Sequence, residues 1–328
     1  HRRTNMNLRE YLKTTNLITD GAFGTYFAAK YQTQYIPELA NITATEKVKK
    51  IHEEYLNAGA KFIRTNTFAS NTETLQEDFA EVEKNIQAAV EIARDAVNGR
   101  DAWIAGDIGP IPVNGAEDAA AAADEYYQIA KTFAECGVTV LDFETFADLD
   151  GILPAIKKIC AEYEMFIMVS FSVNQFGYSA AGLSAKRLLA DAAAVPEIDV
   201  VGLNCGVGPA HMRQILEKAG RPGDKFLLAI PNAGYPTLTR NKLQFGNTPA
   251  YFAEKMKELQ ALGADILGGC CGTTPEFIGE MSLWDGILNK IVLDTETDNG
   301  EQTGHVQRHG FLYDENGERK QKKLIAVE

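Results

Sequence analysis

The chain has 328 residues with 45% hydrophobic and 23% charged side chains, a composition typical of a globular protein that fits one large barrel or two medium domains. Its formal net charge of −13 argues against a nucleic-acid partner or an anionic membrane surface, because both require clustered lysine and arginine. No apolar run approaches the ~20 residues that span a bilayer, and the first residues lack the apolar core of a secretory signal, so we expect a cytoplasmic protein without a membrane partner.

Eight short runs rich in β-branched and aliphatic residues recur along the chain and predict strands. In chain order they cover residues 17–20, 61–67, 103–109, 138–145, 166–172, 200–205, 226–231 and 265–270. Their apolar character is nearly continuous rather than alternating, which is typical of parallel strands that are covered on both faces.

Helical patterns separate these runs. Residues 45–58 place their apolar side chains on one face, and the following Gly59 is a natural stop. The other clear helical patterns cover residues 81–97, 119–135 and 250–262. Eight strands alternating with helices over roughly 280 residues predict an α/β fold, the (β/α)8 TIM barrel. A doubly wound open sheet is the alternative, but neither a GxGxxG nor a P-loop motif accompanies it.

Each predicted strand ends at or near a polar or reactive residue. These residues are Asp20, Asn66, Asp107, Glu144, Ser172, Cys205, Asn232 and Cys270. In a closed barrel the carboxyl ends of the strands converge on one face, where such folds place their active sites. Core packing alone would not select this set, so we expect an active site on that face.

Three of the five cysteines lie at these strand ends. Cys205 ends the sixth predicted strand, and the adjacent Cys270 and Cys271 end the eighth. With one strand between them and about 4.8 Å per strand, the two ends lie within roughly 10 Å of each other. Three thiolates can therefore hold one zinc ion and leave a fourth tetrahedral position for a thiol substrate, which would bind as the thiolate.

Two other interpretations of these cysteines are open. Free cysteines are often small buried hydrophobes, although the glycines that flank Cys270 and Cys271 indicate an unusual backbone path. A glycine-rich loop after the last barrel strand also suits a phosphate group, but that function does not require two cysteines. Cys136 and Cys160 lie in predicted helices and are interpreted as packing residues. An odd number of cysteines in so long a chain argues against a disulfide framework.

Six motifs resemble those of the homocysteine S-methyltransferase family, and together they extend over about residues 17–278. They are DGAFGT at 20–25, RTNTFASN at 64–71, DIGP at 107–110, DFETF at 142–146, GLNCGVGP at 202–209 and GGCCGTTPEFI at 268–278. The resemblance implies a (β/α)8 barrel with one zinc ion held by Cys205, Cys270 and Cys271. It also implies an amino-acid substrate, homocysteine, held by Asp20 and Gly21 after the first strand and by Glu144 after the fourth.

These implied roles agree with the chemistry of the residues. The Glu144 carboxylate would offset the desolvation cost of the homocysteine ammonium group, and backbone N–H groups in the DGAFGT loop suit the substrate carboxylate. For Asp20, a turn-forming role is open beside the ligand role. Ser172 and Asn204 are further candidates for substrate binding, and Asn204 is also a candidate for shaping its turn. No catalytic residue beyond the zinc site is expected, because the metal replaces a general base.

The resemblance further implies a methyltransferase of methionine biosynthesis, which transfers a methyl group from an external donor to the homocysteine thiolate. PNAGYP at 231–236 and NTPAYFAEKM at 247–256 resemble the barrels of cobalamin-dependent methionine synthases and barrels fused to a methylenetetrahydrofolate reductase domain. This resemblance implies a methyl-corrinoid or methyl-folate derived donor, presented by a corrinoid-carrying domain or protein, and donors of the S-methylmethionine or betaine type are the alternatives. Two other classes are open. A phosphate-binding aldolase or isomerase barrel needs a catalytic lysine at a strand end, whereas Lys61 and Lys225 lie at strand beginnings. A non-catalytic zinc module needs a fourth protein ligand.

The barrel pattern stops near residue 283. We predict a homocysteine-binding zinc barrel over residues 1–283 and a C-terminal linker or tail over residues 284–328. Residues 293–304 are polar and acidic, which is typical of a linker. Residues 311–327 have two apolar ends around a possible hairpin turn at 315–317, and the terminal apolar run suggests the start of a further domain in a longer chain.

Overall fold

The computed structural model describes residues 7–239 and 242–283, and beyond them only four short strands. The strands up to residue 283 are β1 (Leu17–Ile18), β2 (Phe62–Arg64), β3 (Trp103–Ile108), β4 (Val140–Phe146), β5 (Phe166–Phe171), β6 (Val200–Asn204), β7 (Phe226–Ile230), β8 (Pro236–Thr239), β9 (Lys242–Phe245) and β10 (Ile266–Leu267). Strands β8 and β9 pair only with each other, as an antiparallel hairpin that the sequence reading missed. The other eight form one sheet in the order β1–β10–β7–β6–β5–β4–β3–β2.

The eight-stranded sheet closes on itself. All of its neighbouring pairs are parallel. The two edge strands meet through a parallel bridge between Thr19 and Phe62. There the Lys61 N–H donates to the Ile18 carbonyl, and the Asp20 N–H donates to the Phe62 carbonyl, each at 2.9 Å. The predicted (β/α)8 barrel is therefore confirmed, and so are its eight strands.

Several strands are shorter than predicted, and the last one differs most. Residues 268–270 were predicted as the end of the eighth strand, but β10 stops at Leu267. The chain leaves the sheet here because its backbone bonds to a neighbouring loop instead: the Cys270 N–H donates to the Pro231 carbonyl at 2.8 Å. A β-rich composition indicates the strand but not the point where its backbone turns away.

The helices form the outer layer. They are α1 (Leu8–Thr14), α2 (Gly24–Tyr31), α3 (Ala40–Thr43), α4 (Thr45–Asn57), α5 (Thr72–Leu75), α6 (Phe79–Val97), α7 (Ala116–Glu135), α8 (Leu153–Glu162), α9 (Ala185–Ala193), α10 (Pro209–Ala219), α11 (Pro249–Leu262) and α12 (Pro275–Ser282). Helix α11 shows why the local sequence gives these bounds. Thr248 caps its first turn by accepting from the Tyr251 N–H, Pro249 suits the first helical position, and Gly263 ends it at φ 136°.

Two apolar layers hold the barrel together. Inward-facing side chains such as Phe62, Met168 and Leu228 fill the lower interior, and outward-facing ones pack against the helices. Helix α1 closes the bottom, where Leu8 and Leu12 join the interior cluster. Because side chains alternate along a strand, the next inward position on each strand lies one layer higher, towards the carboxyl ends.

Four short strands follow the barrel: β11 (Val292–Glu296), β12 (Gln302–Arg308), β13 (Phe311–Tyr313) and β14 (Arg319–Lys320). They pair antiparallel in chain order. Strands β11 and β12 overlap residues 293–304, where the sequence predicts a linker, and their backbones pair despite a polar sequence; the linker or tail stays a prediction. The pairing of β13 with β14 fits the predicted hairpin, whose turn lies outside the described residues. The domain boundary at residue 283 stays a prediction. No helix in the described part is long and apolar enough to cross a bilayer.

Candidate active site

Cys205, Cys270 and Cys271, here called the cysteine triad, meet at the carboxyl end of the barrel. Their three sulfur atoms lie within 4.8 Å of one another, and the Sγ atoms of Cys205 and Cys271 are 3.8 Å apart. The predicted convergence of the sixth and eighth barrel strands is therefore observed. All three residues are partly buried, and all three line one cavity.

The strand between the cysteines positions all three. The Cys205 N–H donates to the Ile230 carbonyl at the end of β7, and the Cys270 N–H donates to the next carbonyl, that of Pro231. The Ala233 N–H in turn donates to the Cys271 carbonyl at 2.9 Å. Consecutive backbone groups after β7 thus tie both cysteine loops to one element, and the Asn232 side chain also forms a hydrogen bond with Cys205.

The backbone at Cys205 is unusual for a residue with a side chain. Its φ is 55°, in the left-handed region, and Gly206 follows at 70°. A Cβ on Gly206 would come within 2.2 Å of the Val173 carbonyl oxygen. The chain therefore turns sharply after β6, and this turn accounts for a glycine directly after the cysteine.

The sulfur geometry fits a tetrahedral zinc ion. With Zn–S bonds of about 2.3 Å, ideal tetrahedral geometry places two sulfur ligands about 3.8 Å apart. Among the three sulfur atoms, hydrogen bonds from Cys270 and then Cys271 lower the pKa of Cys205 to about 3. The hydrogen bond to Cys205 is the main cause that raises the pKa of Cys271 to about 12. A soft, compact, thiolate-bearing donor set of this kind is what zinc prefers.

The cavity above the triad has a volume of about 500 Å³. Its wall includes the predicted residues Asp20, Gly21 and Glu144 as well as the triad. It also includes Arg64 and Asp107, which lie one layer above the apolar interior of the barrel. One cavity therefore joins the thiols to a charged wall.

Arg64 is the central charge of that wall, and the sequence reading gave it no role. Its Nε donates to Asp20 Oδ1 and its Nη1 donates to Glu144 Oε2, each at 2.8 Å. Its Nη2 donates to the carbonyl oxygens of Gly21 and Gly269, each at 3.1 Å. Burial opposes the charge, but Asp20 and Glu144 hold the pKa of Arg64 well above its ordinary value. A single guanidinium thus joins the loops after β1 and β10 to β4.

Three carboxyl groups, here called the carboxyl cluster, lie beside Arg64. They belong to Asp107, Asp142 and Glu144, and one oxygen of each lies within 4.8 Å of the other two. Burial, and then the repulsion from Glu144, raises the pKa of Asp142 to about 8. The same causes raise the pKa of Asp107 well above its usual range. Burial also raises the pKa of Glu144, and the attraction of Arg64 opposes that rise.

The loop after β1 packs tightly on the loop that carries Cys270. The Ala22 N–H donates to Thr273 Oγ1 at 3.0 Å, and the Tyr55 hydroxyl donates to the Ala22 carbonyl at 2.6 Å. A Cβ on Gly21 would lie 2.7 Å from Thr273 Oγ1 and 2.8 Å from the Tyr55 ring. Gly21 is therefore required by close packing, because any side chain would push the two loops apart.

The structure gives the remaining predicted residues different places. Asn204 is buried and donates to Glu144 Oε2 at 3.1 Å, so it supports Glu144 from behind the cavity wall. Ser172 does not belong to the described cavity wall, and its N–H donates to the Phe146 carbonyl. Cys136 and Cys160 are half-buried and pack against the outer core, as predicted. Contact of Ser172 and Asn204 with the substrate stays a prediction.

Comparison with known proteins identifies the family. The sequence model of the family described as homocysteine S-methyltransferase matches residues 17–283. This chain belongs to the homocysteine S-methyltransferase family. Membership confirms the predicted resemblance and the predicted enzyme class, a methyltransferase.

Individual members and folds agree with this assignment. The chain is similar to the methionine synthases of Mycobacterium tuberculosis (strain ATCC 25618 / H37Rv) and Mycobacterium leprae (strain TN), to which it is 28% identical over 298 and 299 residues. These alignments cover 84% of the chain but only 25% of each relative, so the chain spans about a quarter of their length. The crystal structure of the homocysteine methyltransferase MmuM from Escherichia coli, metallated form, shares the fold, with a TM-score of 0.67 at 19% identity over 82% of this chain and 96% of that one.

Proposed function

We propose that this family member is a zinc-dependent homocysteine S-methyltransferase that forms methionine. One observation carries the proposal: three sulfur atoms within 4.8 Å of one another, two of them 3.8 Å apart, line the same cavity as a glutamate and a loop of backbone N–H groups. A thiol, an ammonium group and a carboxylate are the three polar groups of homocysteine, and each has a complementary surface in this cavity.

Cys205, Cys270 and Cys271 would hold the zinc ion. When bound, zinc lowers the pKa of a coordinated thiol, so that the acceptor sulfur is present as a thiolate at neutral pH. The chain's own contribution is to fix the three sulfur atoms through the backbone bonds after β7. In the transfer, the homocysteine sulfur forms a bond to the methyl carbon, and the bonding pair of the broken bond stays on the donor.

Backbone groups at the start of α2 suit the substrate carboxylate. Helix α2 begins at Gly24, and no side chain caps it at Phe23. Phe23, Gly24 and Thr25 all line the cavity. Uncapped N–H groups at a helix N-terminus favour an anion, and the helix dipole adds to that preference. This end of α2 would therefore bind the carboxylate, while Glu144 would bind the ammonium group.

A protein-bound methyl donor, of the corrinoid or methyl-folate derived kind, fits the surface around the cavity. Large apolar side chains are exposed in five of the connections that follow barrel strands. They are Tyr35, Phe68, Val113, Phe176, Tyr178 and Tyr235. Tyr35 is 80% exposed and Phe176 is 75% exposed. Such exposure is uncommon for large apolar side chains on a surface that binds no partner. These loops share the carboxyl-end face, so a corrinoid-carrying domain that docks there would reach the cavity.

The first experiment measures zinc and homocysteine binding together. Purified protein should contain one zinc per chain, and added homocysteine should change the zinc–sulfur coordination seen by X-ray absorption. Cys205→Ala should lose both the zinc and methyl transfer, whereas the control Cys160→Ala, which changes a cysteine outside the triad, should keep both. A zinc-loaded and fully active Cys205→Ala protein would contradict the proposed site.

A second experiment identifies the donor. Methylcobalamin, S-methylmethionine and betaine are each supplied to the zinc-loaded protein with homocysteine, and methionine is quantified. We expect methionine from methylcobalamin. Turnover with S-methylmethionine or betaine, in the absence of any reaction with methylcobalamin, would refute the corrinoid donor while leaving homocysteine methylation intact.

A further inference from the structure

Asp20, one of the predicted substrate ligands, already has a partner within the protein. Both carboxylate oxygens of Asp20 accept from Arg64, Oδ1 from Nε at 2.8 Å and Oδ2 from the backbone N–H at 2.9 Å. The side chain of Asp20 is 3% exposed, and that of Arg64 is 7% exposed. A bidentate, buried pair of this kind leaves Asp20 poorly placed to receive a second cation.

Glu144 is occupied on one side only. Its Oε2 accepts from Arg64 Nη1 and from the Asn204 side-chain amide, at 2.8 and 3.1 Å. No hydrogen bond to Oε1 is found among the described residues. Glu144 lines the cavity, so Oε1 is the oxygen that remains for a substrate.

Asp107 is the other acid of the cavity wall, and its side chain lacks a partner. The residue is 6% exposed, and its Oδ1 has no hydrogen-bond partner in the described part of the chain. Its backbone is fixed, because its N–H donates to Thr65 Oγ1 and its carbonyl accepts from Thr67 Oγ1. A buried carboxyl oxygen without a partner is costly, so this position favours a ligand that donates a hydrogen bond.

The spacing of the two acids suits one ammonium group. An ammonium nitrogen that donates to two oxygens at about 2.8 Å, with a tetrahedral angle between the bonds, holds those oxygens about 4.6 Å apart. Oxygens of Asp107 and Glu144 lie no more than 4.8 Å apart. Asp142 is the third member of the carboxyl cluster, but it does not belong to the described cavity wall.

We propose that Asp107, together with Glu144, binds the ammonium group of the acceptor, and that Asp20 serves as the anchor of Arg64. This assignment rests on the proposed function, since it concerns the acceptor of the same reaction. It makes Asp107 a specificity-determining residue: the site selects thiols that carry an ammonium group over thiols of the same length that carry only a carboxylate.

The test compares two acceptors on the zinc-loaded protein. Homocysteine carries the ammonium group, and 4-mercaptobutyrate is the same thiol acid without it. For Asp107→Asn we expect the KM for homocysteine to rise roughly tenfold to hundredfold, the effect of losing one charge-assisted hydrogen bond. The KM for 4-mercaptobutyrate should stay within twofold of the wild-type value. Asp107→Ser is a second variant, which keeps a small polar side chain should Asp107→Asn fold poorly.

Two further measurements isolate the role of Asp107. Calorimetric binding of methionine and of 4-(methylthio)butyrate to the metal-free protein tests the ammonium contact without zinc and without turnover, and Asp107→Asn should weaken only methionine. Asp142→Asn is the matched control, because it changes the same kind of residue in the same cluster but behind the cavity wall. It should leave the ratio of the two KM values unchanged.

The outcomes separate this inference from the proposed function. Equal losses for both thiols, or no loss for either, would overturn the role of Asp107 while methionine formation by the wild type still stands. A selective loss for homocysteine in Asp20→Asn and not in Asp107→Asn would also overturn it, by returning the ammonium group to Asp20. Absence of methionine formation by the wild type with every donor would refute the proposed function itself.

Discussion

Replacing Arg64 by methionine tests the charged wall of the cavity directly. The substitution keeps an unbranched side chain but removes four hydrogen bonds, to Asp20, to Glu144 and to the carbonyl groups of Gly21 and Gly269. Two buried carboxylates then lose their cation. Breaking a buried ion pair by removing one partner costs about 3–5 kcal/mol, so we expect a loss of that size in the free energy of unfolding at pH 8.

The loss should depend on pH with a defined sign. Burial raises the pKa values of Asp20 and Glu144, and in the wild type the attraction of Arg64 opposes that rise. Without Arg64 both pKa values rise further above those of the unfolded chain. A carboxyl whose pKa is raised in the fold stabilises the protein below its unfolded pKa, and that stability is lost as the pH rises through the folded pKa. The deficit of Arg64→Met should therefore be smallest near pH 4 and largest at pH 8.

Equilibrium urea unfolding at a series of pH values measures this dependence. Each carboxyl contributes a slope of at most about 1.4 kcal/mol per pH unit. Arg187→Met is the matched control, because Arg187 pairs with Asp191 on the exposed face of α9 and should give little change at any pH. A deficit for Arg64→Met that is as small as the control, or that does not vary with pH, would refute the ion-pair reasoning.

Four further predictions follow from other residues. The pKa of Asp142 is raised to about 8, so the free energy of unfolding of the wild type should fall relative to that of Asp142→Asn as the pH rises from about 4 to 8. Urea unfolding should show a fall of at most ~1.4 kcal/mol per pH unit, and parallel pH curves for the two proteins would contradict this. Burial lowers the pKa of His52 to about 4, so the stability that the neutral imidazole contributes to the fold is complete above about pH 6.5 and is lost as the pH falls towards 4. His52→Leu should remove that acid sensitivity from the urea-unfolding curve, and an unchanged pH dependence would count against this role. Gly21→Ala should lower the free energy of unfolding by about 1–3 kcal/mol and raise the KM for homocysteine, because the new Cβ would lie 2.7 Å from Thr273 Oγ1. Unchanged values of both would show that the two loops can separate freely. Zinc binding at pH 7.5 should release about two protons per ion, from Cys270 and Cys271, measured by calorimetry in buffers of different ionisation enthalpy; no release would mean that both thiols are already ionised.

Much of the fold was predictable from the sequence because it depends on periodic patterns. Eight apolar runs and the helices between them indicate a barrel, and barrel geometry alone brings Cys205 near Cys270. The ends of the strands were less predictable. Residues 268–270 have neutral composition, but the N–H groups of Gly269 and Cys270 bond to loops that are distant in sequence, at Asp20 and Pro231. A local sequence pattern cannot indicate where such a strand ends, because the end depends on which loop packs alongside it in the folded chain.

The side-chain partners at the site were also hidden from the sequence reading. Asp20 and Glu144 were predicted as substrate ligands from the family resemblance and from their place at strand ends, and neither indication includes a partner on another strand. Their actual partner, Arg64, comes from a third strand, 44 residues after Asp20 and 80 before Glu144. A carboxylate at a strand end has the same local sequence whether its cation is a substrate or an arginine, so only the packed structure separates the two.

A rule based on barrel topology recovers most of this information. Side chains two apart on a strand face the same way, so the residue two positions after each inward apolar residue belongs to the polar layer. On β2 the inward Phe62 leads to Arg64, on β3 Ala105 leads to Asp107, and on β4 Val140 leads to Asp142. Arg64 is then the only cation of that layer in the described strands. A guanidinium this deeply buried needs acidic partners, and they come from the loop after β1 and from further along β4, as Asp20 and Glu144. The pairing of Asp20 with Arg64 therefore follows from one charged residue at an inward strand position, and it is the basis for proposing Asp107 with Glu144, rather than Asp20, as the ammonium site.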